Sequence, residues 1–527
     1  MKKDRLLRGE TSLGIEFGST RIKAVLLDDD GNLLASGNHE WENTLDNGLW
    51  TYSDEAIRNG LRSAYAALKT DVKARYGVTL TTVGVIGISA MMHGYLAFDA
   101  SDNLLAPFRT WRNTNTGEAA EKLSKELDFN IPLRWSVAHL EQTILNGEAH
   151  VKDIAFLTTL AGYIHYLLTG EKVLGVGDAS GMFPIDSEKN DYDQKRVDKF
   201  NALHINDGFK WDLRGILPKV LAAGDAAGRL TESGARLIDP AGDLKAGVPF
   251  CPPEGDAGTG MTATDSIAAR TGNISAGTSV FAMLVLEHPL SKVYPEIDMV
   301  TTPDGKPVAM VHCNNCTSDI DAWVRLFGEV LRIFGASVKK GELYDAFYAY
   351  AMHGESDCGG VVSYNLLAGE PLLGLETGAP MVYRSPDAKF DFANVSRSLL
   401  FSSFAALRVG MEILTEKENV KIDKLLGHGG LFKTEKVAQS LIASALGIPV
   451  SVMPSASEGG AWGIAILAQY SRLRNKGETL DAYLENRVFS KIAVKTEHPV
   501  ASDARGFNKY FEEYLRGLSA EKALAEN

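Results

Sequence analysis

The chain lacks most of what would mark it for an extracellular, membrane or nucleic-acid setting. It has four cysteines in 527 residues, Cys251, Cys313, Cys316 and Cys358, which is no disulfide framework for a chain of this size. No apolar run approaches the roughly 18 residues that a membrane span requires, and VFAMLVL at 280–286 has the length of a buried strand. The opening MKKDRLLRGET is basic but lacks the apolar stretch of a secretion signal. Excess positive charge is missing too. A net charge of −13 with no basic patch repels a phosphate backbone. A cytoplasmic location with no membrane or nucleic-acid partner is therefore expected. The two commonest phosphate-binding signatures, GxxxxGK[ST] and GxGxxG, are also absent.

What is present is the composition of a folded protein, 45% hydrophobic and 23% charged, in a chain too long for one core. Two domains are expected, 1–265 and 266–527. SLGIEFGSTRIKAVLLDDDGNLLASGN reads as strands at 13–17, 21–28 and 32–37, broken by Gly18-Ser19-Thr20 and Asp29-Asp30-Gly31. About 260 residues later GNISAGTSVFAMLVLEHP repeats the plan around Gly277-Thr278-Ser279, and PVAMVHC at 307–313 supplies a third strand. The repetition predicts two similar units. Helical patterns at 54–76 and 151–170, with the strand-like VGVIGIS at 83–89 between them, indicate α/β layering. The second half adds a helix at 395–416, a strand at 422–426, a helix at 434–446 and a strand at 449–453. Residues 187–255 read as connecting loops, and GFNKYFEEYLRGL near the end as a helix.

Several residues carry candidate chemistry. In a tight turn, glycine admits a ligand close to the backbone, successive N–H groups cradle an anion, and hydroxyls add donors. Gly18-Ser19-Thr20 and Gly277-Thr278-Ser279 both have that composition. Either alone is an ordinary hairpin turn, but as a pair they could grip the phosphates of one nucleotide. Gly429 and Gly430 in LLGHGGLFK fit a strand-to-helix loop, or a backbone lying against a flat ring. Asp256, in EGDAG, is flanked by small residues that let a substrate approach its carboxylate. It suits a base that accepts a hydroxyl proton during phosphoryl transfer, and equally a turn or helix cap. Cys313 and Cys316 have the spacing of a zinc or redox pair beside His312, but no second CxxC or histidine pair completes a ligand set.

In order and spacing, GIEFGSTRIKAVLLD, GISAMMHGYLAFD, LLTGEKVLGVGDASGMFPID, EGDAG, NISAGTS, SYNLLAGEP, LLGHGGLFK and SEGGAWGIAILA together resemble the FGGY carbohydrate kinases, most of all the xylulokinases. The resemblance spans about residues 12–520. It implies two actin-like, ribonuclease H-like α/β domains with a central cleft, sugar bound by the first and ATP by the second. It implies Asp256 as catalytic base, and Gly18, Ser19, Thr20 and Lys23 with Gly277, Thr278 and Ser279 as phosphate binders. Gly429, Gly430 and Lys433 then face the adenosine, while Met92, His93, Trp111, Asn113, Asp256 and Ala257 form the sugar set. Glu16 and Asp256 form the Mg²⁺ set. A ketopentose of the xylulose type leads as substrate, with ribulose, other ketoses or polyols as alternatives, and an ATP-dependent sugar sensor as a non-catalytic one. A homodimer is a common outcome for such enzymes. Three positions depart from the pattern. Glu16 stands where the family has aspartate, Met91 where xylulokinases have glutamine, and Asn113 and Asn115 where their WNDGRT loop has an acid and an arginine.

Overall fold

The computed structural model describes residues 2–453, 459–490 and 492–525. The first two residues of SEGGAWGIAILA, Ser457 and Glu458, lie outside them. The chain forms two compact units. One takes residues 1–267, 298–308 and 455–492, and the other takes 268–297, 309–454 and 493–527. The division is thus not a single cut near 265.

In the first unit, strands β1 (Thr11–Phe17), β2 (Arg21–Asp28), β3 (Leu33–Glu40), β4 (Val85–Ala90) and β5 (Glu254–Gly255) form a sheet ordered β5-β4-β1-β2-β3. The hairpins β1-β2 and β2-β3 are antiparallel, whereas β4 runs parallel to β1 and β5 parallel to β4. Side chains alternate between the two faces of a strand. Register puts Gly14, Val25, Ser36 and Gly87 on one face, and Ile15, Ala24, Gly37 and Ile88 on the other. The helix Asp54–Tyr76, capped by the Ser53 side chain and ended by left-handed Gly77, closes on the second face, where a Cβ on Gly37 would stand 2.3 Å from the Ala64 carbonyl. The first face is covered by the helix Gly459–Leu473, which comes from the far end of the chain. It seats backbone against β1 and against the helix Asp256–Ala263. A Cβ on Gly14 would lie 2.2 Å from the Ala461 carbonyl, and one on Gly463 would lie 2.0 Å from the Thr259 carbonyl, so no larger residue fits at either contact.

The second unit repeats the plan. Strands β6 (Thr271–Ala276), β7 (Val280–Val285), β8 (Pro307–Cys313), β9 (Lys424–His428), β10 (Val450–Val452) and β11 (Lys495–Glu497) run in the order β8-β7-β6-β9-β10-β11. The β6-β7 hairpin is antiparallel, and β6-β9 and β9-β10 are parallel. Strand for strand, β6, β7, β8, β9 and β10 answer to β1, β2, β3, β4 and β5. The helix Phe392–Glu412 is almost wholly buried in this unit. With its continuation to Lys417 it is long and apolar enough to cross a membrane by length and composition, but 78% of its most apolar window is buried as core.

Two segments differ from the sequence expectation. The helix expected over 151–170 is three elements, a 3₁₀ turn Ala149–Asp153, a strand Phe156–Thr158 and a helix Leu160–Thr169. The Thr159 side chain accepts from Gly162 N–H and starts the helix there, a local capping bond that competes with a helix running through it. Within 187–255, expected as loops, Gln194–Leu203 and Glu232–Ile238 are helices capped by Asp193 and Thr231.

A buried ionic cluster ties the first of these helices to the fold. His204 sits between Glu141 Oε2 at 2.8 Å and Asp207 Oδ2 at 2.7 Å, and Lys122 Nζ bonds Glu141 Oε1 at 2.7 Å. Burial works against a charged imidazole, but the two carboxylates outweigh it and raise the His204 pKa. Burial likewise works against the Glu141 carboxylate, and His204 and Lys122 outweigh it and lower its pKa. A raised histidine stabilises below its unfolded pKa of about 6.5 and loses that contribution as pH rises through its folded pKa. A lowered glutamate stabilises above its unfolded pKa and loses its contribution as pH falls through its folded one. His204→Gln should therefore cost most from about pH 6.5 down to the carboxylate range, on the order of 1–3 kcal/mol, and less at pH 9. Calorimetric melting from pH 5 to 9 checks this; a pH-independent difference contradicts it.

Candidate active site

The ends of β1, β4 and β5 bring the first unit's acids together. Asp256 opens the helix Asp256–Ala263 immediately after β5. The residue is exposed, and desolvation of its carboxylate by the groups around it raises its pKa. The backbone N–H groups of Met92, 3.3 Å from Oδ1, and of Ala257 oppose the shift by holding the charged form, as does the charge of Arg134. Glu16 lies on the Gly14 face of β1, in register with Ser89 of β4. The Ser89 hydroxyl in turn bonds Thr259 Oγ1 at 3.0 Å. Glu16 Oε2 accepts from Ala461 N–H at 3.1 Å. Burial, then repulsion by Asp256, pushes its pKa up to about 7, against the Ala461 bond and the charge of Lys23, its cross-strand partner.

Two further acids, quoted in the sequence motifs without a role, belong to this cluster. Glu254 is buried and accepts from Gly177 N–H at 3.3 Å and Asp178 N–H at 2.9 Å; burial and neighbouring Asp178 raise its pKa to about 8. Asp178 is fully buried and accepts from Thr159 Oγ1 at 2.7 Å. Burial, despite that bond and aided by Asp256, raises it to about 7.

His93 adopts a left-handed backbone, φ 69°, a conformation that costs a non-glycine residue on the order of 1 kcal/mol and tends to occur at functional sites. Burial drops its pKa to about 3, so the ring is neutral. Its Nδ1 stands 3.1 Å from the Gly181 carbonyl. A carbonyl only accepts, so Nδ1 carries the proton and Nε2 is left as the ring's acceptor. The ring stacks on Trp135 at 6.3 Å between centroids. Met92 contributes its backbone N–H, while its side chain packs over Gly255; Met91 is buried.

Trp111 is partly exposed and its Nε1 donates to Ser19 Oγ at 3.3 Å. Asn113 has another task than the one expected of it. Its amide donates to the Trp50 and Thr110 carbonyls at 2.8 and 3.0 Å and accepts from Trp50 N–H at 2.9 Å. With the side chain buried, it clasps its own loop. Asn115 is exposed.

The turn Gly18-Ser19-Thr20 is held by its carbonyls. Trp41 Nε1 donates to Gly18 O at 2.7 Å, the Tyr52 hydroxyl to Ser19 O at 2.6 Å and Trp41 N–H to Thr20 O at 3.2 Å. The Trp41 and Tyr52 rings are stacked 4.0 Å apart. In a trans peptide the C=O and the following N–H point opposite ways. Tying the Gly18 and Ser19 carbonyls back therefore turns the Ser19 and Thr20 N–H groups outward, as an anion cradle requires.

In the second unit, the turn Gly277-Thr278-Ser279 is built the same way. Thr317 donates to Gly277 O from N–H at 3.0 Å and from Oγ1 at 2.7 Å, and Cys316 N–H donates to Thr278 O at 3.0 Å. This gives Cys313-Asn314-Asn315-Cys316 a structural role. Both thiols are buried, with pKa values pushed up, that of Cys316 to about 12, and Asn315 is fastened to the Glu370 carboxylate at 3.1 Å. Gly429, at φ 99°, follows β9 where a Cβ would meet the Ala276 carbonyl at 2.4 Å, so only glycine brings this loop against the end of β6. Gly430 and Lys433 begin and end the 3₁₀ turn after it, and both are exposed.

Comparison with known proteins agrees with this construction. Residues 11–261 match the N-terminal domain of the FGGY family of carbohydrate kinases, and residues 272–472 match its C-terminal domain. A xylulose kinase from Haemophilus influenzae is 22% identical over 520 residues, 96% of this chain and 99% of its own length. Among solved structures, xylulose kinase from Rhodospirillum rubrum superposes with a TM-score of 0.79 at 16% identity, covering 98% of this chain and 100% of its own. Gluconate kinase from Lactobacillus acidophilus gives 0.77 at 16% identity, over 97% and 98%. Two domains of one duplicated plan and end-to-end matches of both to one family make the chain a member of the FGGY carbohydrate kinases, with their actin-like fold.

Proposed function

We propose that the chain transfers the γ-phosphoryl group of ATP to a terminal hydroxyl of a ketopentose of the xylulose type. The observation that carries this reading is the pairing of an accessible Asp256 carboxylate with the 92–93 loop, whose Met92 N–H fixes the carboxylate and whose His93 offers a neutral acceptor. Asp256 accepts the hydroxyl proton as the sugar oxygen attacks phosphorus. His93 Nε2 accepts from a second hydroxyl and Trp111 forms part of the same wall. In the first unit Ser19 and Thr20, with Lys23 following on β2, hold phosphate oxygens through outward N–H groups; in the second unit Gly277, Thr278 and Ser279 are the phosphate binders. Gly429, Gly430 and Lys433 take the adenosine side.

Mg²⁺ fits the acids present. No group of three His, Cys, Asp or Glu side chains forms a metal cage among the described residues, but Mg²⁺ keeps waters and phosphate oxygens and needs only one or two carboxylates. Glu16 and Asp256, whose mutual repulsion raises the Glu16 pKa, would hold it. When bound, it neutralises charge on the transferring phosphate.

ADP release measured across pentuloses, hexuloses, polyols and aldonates tests the reading. Release that depends on a ketopentose supports it; release that no sugar stimulates contradicts it. Tyr52→Phe, which removes the tie on the Ser19 carbonyl, should raise KM for ATP about three- to tenfold, the worth of one neutral hydrogen bond, with KM for the sugar unchanged. Steady-state titration of each substrate would show it, and an effect confined to the sugar KM would contradict it.

A further inference from the structure

We infer that Arg134 and Asp298 are the specificity-determining pair of the acceptor site, and that they select a neutral polyhydroxylated acceptor by engaging two neighbouring hydroxyls. The inference rests on the sugar-kinase reading above.

Arg134 is placed beside the candidate sugar-binding histidine. It directly precedes Trp135, on which His93 stacks, and its carbonyl accepts from Gly94 N–H at 3.4 Å. Its charge acts on both His93 and Asp256. The side chain is fixed: Nη2 bonds Asp298 Oδ2 at 2.5 Å, and the other Asp298 oxygen accepts from Asn130 Nδ2 at 3.0 Å. Asp298 arrives 164 residues later, on the segment 298–308 that rejoins this unit. The two side chains are only 26% and 14% exposed, so the guanidinium plane and carboxylate are ordered before any ligand binds.

Chemistry then narrows the ligand. A guanidinium has five donors in a fixed fork, and Asp298 takes one, leaving donors next to carboxylate acceptors. Sugar hydroxyls both donate and accept, so two of them on adjacent carbons complement such a pair. A carboxylate does not. It would meet an arginine already neutralised by Asp298. The loop at 111–116 sharpens the argument. There Asn113 and Asn115 replace the acid and arginine expected from the xylulokinase pattern, and Asn113 is committed to its own backbone. Arg134 and Asp298 supply an acid and an arginine from elsewhere in the same unit.

The test is binding of D-xylulose, D-ribulose, xylitol and D-gluconate by calorimetry without nucleotide, with ADP release measured in parallel. It compares the unaltered protein with Arg134→Met, Arg134→Lys and Asp298→Asn. The expected result is that a neutral ketose or polyol binds more tightly than gluconate. Arg134→Met and Asp298→Asn should each weaken it about tenfold or more, as loss of a hydrogen bond to a charged group does. Arg134→Lys, which lacks the planar fork, should recover only part, and KM for ATP should stay within about twofold. Should Arg134→Met fail to fold, the isosteric Asp298→Asn carries the test. Neutral-acceptor affinity within about twofold of the unaltered protein in Asp298→Asn, or gluconate as the tightest ligand, overturns the inference. Binding that the variants lose without ADP release upholds the pair and overturns the kinase reading alone.

Discussion

Asp256→Asn should lower kcat at least 100-fold while leaving ATP binding within about twofold of the unaltered protein. The substitution keeps the volume of the side chain and its place at the head of Asp256–Ala263, and it removes the proton acceptor, a contribution that runs to about 10²–10⁴ in rate. The acid limb of the pH–rate profile adds a second signature. Desolvation raises the Asp256 pKa above its ordinary value, so activity should fall, as pH drops, earlier than the ordinary aspartate value would dictate. Retention of more than about a tenth of the activity would remove Asp256 from the base role.

The second large effect concerns the fold. Gly14→Ala should destabilise the first unit by about 3 kcal/mol, the cost of overpacking a closed contact, and lower its melting point by roughly 4–5 °C. The added methyl would stand 2.2 Å from the Ala461 carbonyl and 2.7 Å from the Ala465 nitrogen. Neither atom can move unless the helix Gly459–Leu473 lifts from β1. Because that helix also presents Ala461 N–H to Glu16, activity should fall with stability. Gly117→Ala is the control: it heads a helix with nothing within 4 Å of the new Cβ, so it should melt within about 0.5 kcal/mol of the unaltered protein. Equal melting points for the two variants would contradict the seating of the helix.

Some of this was readable in the residues and some was not, for physical reasons. The hairpins around Gly18-Ser19-Thr20 and Gly277-Thr278-Ser279 stand out because strand alternation and small-residue turns are local signals, and their recurrence marks the duplicated sheet that the structure contains. The helix Asp54–Tyr76 is legible in its own helical pattern, and the structure caps it with Ser53 and Gly77. The destination of Gly459–Leu473 is not announced: its pattern says that it is buried, and nothing local says that β1, some 450 residues earlier, buries it. The role of Asn113 is hidden for a similar reason, since its partner Trp50 is 63 residues away. Asp178 and Glu254 sit in quoted motifs, yet only the fold brings the Glu254 carboxylate onto the Gly177 and Asp178 N–H groups. The pairing of Cys313 with Cys316 misleads in the opposite direction. Its spacing looks like ligand chemistry, while its structural work is done by the Cys316 and Thr317 N–H groups that hold the second turn.

Following a reaction of the protein, ATP and D-xylulose by ³¹P NMR tests the central claim most directly. A new phosphomonoester resonance on the sugar, growing in step with ADP and absent with Asp256→Asn, is the predicted result. Inorganic phosphate growing in step with ADP, with every sugar of the panel left unphosphorylated, would contradict it.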